Sequence, residues 1–320
     1  MKYTKQPTSA EEQIELLAAR GLTIPNKDRA VRYLTTVGYY RLTGYMYHLQ
    51  SRDGNHEFKK GTTFDEVIDT YTFDKKLRYL LASYLERIEV GMRTRLTDVY
   101  CPKYGFFWYA DAGHYNRLSP PQHILDAVGR GEMEMPRKYL DTYAQITAEV
   151  RENYERATEQ FILRYKMKYS GESLPPSNMA MQIVSMGKLS RLYDTLHNTA
   201  EKQLVADTFH IPHLYLSSWL LYLTNIRNIC AHHGRLWNRR TTADRFKVPS
   251  RKEFKFPGTI DEDFNTTLYG TLTIMLKLLN AINPEHSLLA KFKELVGSYP
   301  KIELGYMGFP KDWEENPAWG

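Results

Sequence analysis

Apolar residues recur every three or four positions along most of this chain, and no stretch of useful length alternates polar with apolar. The spacing is most regular between about residues 64 and 100. There Leu77, Leu81, Tyr84, Ile88 and Met92 form one stripe, while Glu86, Glu89 and Arg93 fall on the other side. Thr63 and Glu66 open that run with a capping-box pattern, T-F-D-E. The periodicity predicts an all-α, multi-helix fold of roughly ten helices.

Boundaries follow from capping and breaking residues. Ile14, Leu16 and Leu17 mark a helix over 10–20 that Gly21 stops, and Asn26 caps another running to Gly38. Residues 102–136 read as irregular, 141–169 as a second long helix, and 181–198 as one further helical stretch. The segment HIPH (210–213) contains Pro212 and reads as the start of a helix. Residues 238–258 read as a basic loop. Two closing helices precede a tail that holds aromatics and prolines without period. The expected organisation is a small N-terminal helical unit over 1–60, a larger helical domain over 61–300 and an aromatic tail over 301–320. There is no internal repeat or low-complexity tract.

Apolar content of 42% and charged content of 25% match a chain able to bury a sizeable core. The net charge of +6 favours an anionic partner without identifying one. Cys101 and Cys230 form no CxxC pair, which fits a reducing compartment rather than a disulfide scaffold. The N-terminal MKYTKQPTSAEEQ lacks the apolar segment of a secretory signal, and no apolar run is long enough for a membrane span. A cytoplasmic protein is expected.

One segment carries chemistry. RNICAHHGRLWNR (227–239) follows the apolar LSSWLLYLTN. On a helical wheel centred on Leu223, residues Leu216, Trp219, Leu220, Ile226 and Cys230 lie within about 60° of it, and Arg227 lies at about 40°, inside the same stripe. A guanidinium cannot shed its proton, so burial there demands an anionic partner. Glu86 and Glu89 are the candidates. His232 lies about 140° and His233 about 120° from Arg227, so a joint site needs a bend, a helix end near Gly234 or a second subunit.

The chemistry these groups suit is metal-free RNA cleavage. A histidine, with an ordinary pKa of about 6.5, takes the proton of a ribose 2′-OH. Arginine offsets charge on the phosphoryl oxygens. Asn228 would hold the phosphate or orient the imidazole, and His233, or His232 of a second copy, would protonate the leaving oxygen. Spacing alone is weak support. Five Arg–His pairs in the chain have four to six residues between them, where about two are expected by chance. One of these, Arg117–His123, is interrupted by Pro120 and Pro121. Arg227 as a structural ion-pair member and His232 as a surface group therefore stays open. A metal at Cys230, His232 and His233 lacks usual zinc spacing, and no cofactor is implied. Phosphate contacts are expected from Arg93, Arg95, Arg235, Asn238, Arg239 and Arg240, with Lys60 and Arg245 as further cations. Trp237 and Phe246 interleave with the cations of 235–251. No Walker A, GxGxxG, GxSxG or HExxH is present.

RNICAHHGRLWNR resembles the motif of the Abi family, the abortive-infection proteins of bacteria and their mobile elements. VGYYRLTGYMY (37–47), the block 64–96, SMGKLSRLYDTL (185–196) and GYMGFPKDW (305–313) resemble further family blocks in the same order. The resemblance implies a HEPN-like domain with an R-x(4–6)-H signature, matched here by Arg227, Asn228 and His232. It implies a metal-independent endoribonuclease, a homodimer in which two motifs meet, and a toxin-like anti-phage role. Cellular RNA is the implied substrate, with tRNA one candidate, and the resemblance to some relatives implies a structured small RNA as a restraint. The alternative is a non-catalytic RNA-binding or protein-interaction module on the same fold. In one place the chain departs from the pattern. Where many relatives carry a tryptophan and a glutamate before SMGKLSRLYDTL, this chain has Ser177, Asn178 and Gln182.

Overall fold

The computed structural model describes residues 2, 6–51, 54–116, 120–136, 141–241, 245–256 and 260–319. Arg117, the start of the N-terminal segment, and parts of the polar turn 51–62 and the basic loop 238–258 lie outside these residues. Among the described residues the protein is all-α, with isolated bridges but no strand.

Three short helices come first: α1 (Ala10–Ala19), α2 (Lys27–Tyr33) and α3 (Tyr39–Thr43). Ser9 and Glu12 cap α1 reciprocally, and Asn26 Oδ1 accepts the Arg29 amide at 2.8 Å to start α2. Gly21, with φ +89°, follows the end of α1, and α2 continues as a π-helical turn, Leu34–Gly38, that ends at Gly38 with φ +93°.

The organising element is α4 (Phe64–Tyr104), 41 residues long. Thr63 Oγ1 accepts the Glu66 amide at 3.3 Å, and the Glu66 carboxylate accepts the Thr63 amide at 2.9 Å, so the predicted capping box is formed. The helix runs past Pro102 to Gly105, longer than its sequence pattern suggests. Pro102 is tolerated because only the last turn lies beyond it. Leu77, Leu81, Leu85, Ile88, Met92 and Leu96 are fully buried along one side. At about 1.5–3 kcal/mol each, such side chains supply a large part of the driving force for folding. The remaining helices are α5 (Gln122–Gly129), α6 (Thr142–Arg156), α7 (Gln160–Lys168), α8 (Ser177–Ile183), α9 (Met186–Thr195), α10 (Ala200–Asp207), α11 (His213–Ala231), α12 (Leu268–Ile282) and α13 (Leu288–Gly297). Of these, α8, α10, α11, α12 and α13 all pack on α4, while α6 and α11 pack on α9.

Three helical expectations are corrected. The stretch 102–136 contains α5. Residues 141–169 are two helices, because Ala157 is extended and α7 folds back on α6. The Tyr154 and Tyr165 rings then meet at 6.3 Å, and Lys166 Nζ reaches the Glu155 carbonyl at 3.1 Å. Residues 181–198 are also divided. Ser185 is extended, its hydroxyl caps α9 through the Lys188 amide, and its own amide donates to Glu149 Oε1 at 2.9 Å.

The aperiodic tail is part of the core. Phe309, Trp313 and Trp319 are buried with Tyr269 and Phe292, and Trp319 Nε1 donates to Thr273 Oγ1 at 3.2 Å. Beside it, His48 stacks edge-on to Trp237, with centroids 4.5 Å apart. Burial is the main cause that lowers the His48 pKa to about 4, with Lys59 and Arg235 adding to it and Glu66 opposing. The unfolded imidazole takes its proton at the ordinary value and the folded one only near the lowered value, so the unfolded state binds more protons between them. Stability should therefore fall by about 1–2 kcal/mol as pH drops from about 6.5 to about 4, discounting for partial exposure. Urea denaturation across that range checks this against His48→Phe, which should lack this component. Parallel pH profiles for the two proteins would contradict it.

Candidate functional site

Pro212 precedes the first turn of α11, as the HIPH segment predicts. Leu216, Trp219, Leu220, Leu223, Ile226 and Cys230 are all buried, so the apolar stripe is correctly oriented. Arg227 sits at its margin and is half-buried. Its Nη1 donates to Asn228 Oδ1 at 3.4 Å, and among the described residues no carboxylate pairs with it. The expected partners are engaged elsewhere. Glu89 pairs with Arg93, and Glu86 is exposed in a separate cleft with Arg87 and Lys291. At the positions that depart from the family pattern, Ser177 is buried against Cys101 Sγ at 2.9 Å, while Asn178 and Gln182 are exposed.

The helix does end next to the histidines, though one residue earlier than the glycine suggests. His233, not Gly234, takes the left-handed conformation, with φ +56°. Its amide donates to the Cys230 carbonyl at 3.2 Å, and the Gly234 amide donates to the Ile229 carbonyl at 2.8 Å. This is a Schellman closure. Gly234 packs closely on the preceding turn, since a Cβ there would stand 3.3 Å from Ile229 Cγ2. His232 and His233 are both exposed. The His232 amide donates to the Asn228 carbonyl at 2.9 Å, so the two residues stand one turn apart on one helix face.

The turn is clamped from the N-terminal block. Arg41 Nη1 donates to the His233 carbonyl at 2.6 Å, and Arg235 Nη1 donates to the Gly44 carbonyl at 2.8 Å. Beneath them lies Asp74, fully buried in α4. Its carboxylate accepts the Trp237 amide at 2.7 Å, the Leu236 amide at 3.2 Å, the Tyr45 hydroxyl at 2.6 Å and the Arg78 guanidinium. Burial pushes the Asp74 carboxyl above its ordinary value, and these donors act against that rise.

Several expected phosphate contacts are corrected. Arg93 is buried, held by Glu89 and the Met181 carbonyl, so it has no surface to offer a strand. Arg95 donates to Thr208 Oγ1 at 2.8 Å and lies 3.5 Å from Asp98. Trp237 and Phe246 are core residues, so the aromatics of 235–251 point inward and cannot stack on bases. Asn238 is half-buried with φ +50°, while Lys60, Arg239 and Arg240 are exposed. Arg245 lies 3.6 Å from Asp263.

Sequence reasoning missed a cleft of about 500 Å³ between α6, α9 and α11. Its lining includes Gln145, Lys188, Arg191, Asn225 and Asn228, and among the described residues no carboxylate and no aromatic ring lines it. Lys188 and Arg191 stand three apart on α9, a spacing that could have flagged them. Burial pushes the Cys230 thiol up to about 12, so it serves as a core group rather than a thiolate. Among the described residues no group of three or more His, Cys, Asp or Glu could hold a metal ion, and no helix is long and apolar enough to cross a membrane.

The family described as Abi-like protein matches residues 32–238. The blocks at 37–47, 64–96, 185–196 and 227–238 fall inside the match, and GYMGFPKDW falls outside it. Neither the curated proteins nor the solved structures contain a match.

Replacing Asp74 by Asn should cost about 3–5 kcal/mol, because Arg78 is left charged and buried without its partner. Urea denaturation measures this directly. The pair Asp74→Leu with Arg78→Met should recover part of the loss. A cost below about 1 kcal/mol for Asp74→Asn would show that the carboxylate does not hold the turn.

Proposed function

The chain belongs to the family of Abi-like proteins, and from that membership we propose that it is an abortive-infection effector that cuts cellular RNA without a metal, on a HEPN-like helical domain. His232 is the base. One ring nitrogen takes the proton of a ribose 2′-OH, the 2′-oxygen bonds to the adjacent phosphorus, and the bond to the 5′-oxygen breaks. Arg227 offsets the charge gathering on the phosphoryl oxygens, and Asn228 orients the guanidinium. The leaving 5′-oxygen takes its proton from a second imidazole, either His233 or His232 of a second copy. The products are a 2′,3′-cyclic phosphate and a 5′-hydroxyl end.

The observation that carries this reading is an arginine with no carboxylate among the described residues, touching Asn228 one turn from an exposed imidazole. A structural ion-pair role for Arg227 would call for a carboxylate at that guanidinium. Because Arg227 and His232 point about 140° apart around the helix, two motifs facing each other in a homodimer complete the site. The protein would act in the cytoplasm on RNA such as tRNA and would stop growth on infection, with a structured small RNA as its restraint.

Purified protein incubated with total RNA in EDTA should yield fragments with cyclic phosphate ends, and His232→Ala should slow this at least about 10²-fold. Undegraded RNA with both proteins would favour the non-catalytic binding module, and cleavage that EDTA abolishes would contradict the metal-free step. Light scattering at micromolar concentration should show a dimer. A monomer that retains full activity would contradict the shared site.

A further inference from the structure

We propose that the cleft between α6, α9 and α11 is the strand-binding subsite, in which Lys188 and Arg191 hold the RNA phosphate next to the linkage presented to Arg227 and His232. The proposal rests on the reading that the ligand is RNA, and it adds residues that neither the motif nor the family match identifies. The cleft shares one helix face with Asn228 and His232, and the Arg227 of the facing copy would complete the site there. Leu221, Asn225 and Asn228 line the cleft, and His232 follows Asn228 by one turn along α11. A strand lying along this face passes from the cleft directly to the imidazole.

Charge and chemistry agree with that path. Neither cation is neutralised among the described residues. Lys188 Nζ donates to the neutral Gln145 Oε1 at 2.8 Å, and Arg191 is half-buried with no carboxylate partner. The nearby Glu149 turns away to accept the Ser185 amide and does not line the cleft. A half-buried guanidinium in a cleft with no acid among the described residues favours an anion, and amide and hydroxyl groups around it suit phosphate and ribose oxygens. The volume is of nucleotide scale, within the range of about 300–1,000 Å³ typical of ligand pockets. The described lining is of cations, amides and hydroxyls, groups that suit the strand's backbone. The exposed Arg239 and Arg240 lie outside this lining.

The test measures binding apart from cleavage. A fluorescent ten-nucleotide single-stranded RNA is titrated with full-length His232→Ala protein in EDTA at several salt concentrations. Adding Lys188→Gln and Arg191→Gln together should raise Kd at least tenfold. It should also reduce the salt slope by about 0.7, for the one phosphate that is no longer neutralised. Gln145→Glu, which sets a carboxylate beside Lys188 and leaves both cations in place, should weaken binding in the same direction if the double variant proves unstable. Arg239→Gln with Arg240→Gln should change Kd less than threefold. Unchanged affinity and slope in the double variant, or a weakening confined to the Arg239 and Arg240 pair, would overturn the proposal. If binding depends on Lys188 and Arg191 but protein with His232 intact cuts nothing, the nuclease reading fails and this one stands. If His232 is required for cleavage while the double variant binds and cuts normally, only this one fails.

Discussion

One buried carboxylate ties the motif to the rest of the molecule. Asp74 sits in the first third of α4 and accepts hydrogen bonds from the N-terminal block through Tyr45, from its own helix through Arg78, and from the segment after the histidines through the Leu236 and Trp237 amides. A fully buried carboxylate survives only if its oxygens are satisfied, so each of these partners is fixed by the others. The consequence reaches the surface. With Leu236 and Trp237 held below, and Arg41 and Arg235 bridging across the top, the turn that exposes His232 and His233 has no freedom to swing away.

Such rigidity matters for the chemistry proposed. An imidazole and a guanidinium act on a phosphodiester only when held within a fraction of an ångström of a productive arrangement. The left-handed His233 and the close approach of Gly234 to Ile229 end α11 sharply, which leaves His232 at the rim instead of inside the bundle. Arg227 is half-shielded by the same helix, where its charge is less screened than in open solvent. The division of labour follows from burial: the ion pairs Asp74–Arg78 and Glu89–Arg93 hold the scaffold, and the cleft is faced by Lys188 and Arg191, which pair with no carboxylate among the described residues.

The sequence discloses the fold class and the helix boundaries best where local chemistry sets them. Thr63 with Glu66, Asn26, Gly21 and Gly38 all act as their residue types predict, because capping and left-handed backbone are short-range effects. Breaks at Ala157 and Ser185 were not legible, since they depend on contacts such as Tyr154 with Tyr165 and Ser185 with Glu149, made between segments. The apolar stripe around Arg227 was legible from periodicity. Its freedom from Glu86 and Glu89 was not, because which arginine wins a glutamate is decided in three dimensions. Asp74 hid in FDKKLRYLL, where it reads as one more charge on a solvated face. Arg93, Trp237 and Phe246 misled for the converse reason: residue type suggests a nucleic-acid surface, and only packing shows that they point inward.

The central claim is that a ribose hydroxyl of the substrate itself, activated at the end of α11, is the nucleophile. The most direct measurement replaces one ribose at a mapped cleavage position by its 2′-deoxy counterpart in an otherwise identical oligonucleotide. The account predicts that cutting at that linkage stops while neighbouring sites and binding are kept. Continued cutting at the deoxy linkage would contradict it, because the attacking oxygen would then have to come from water.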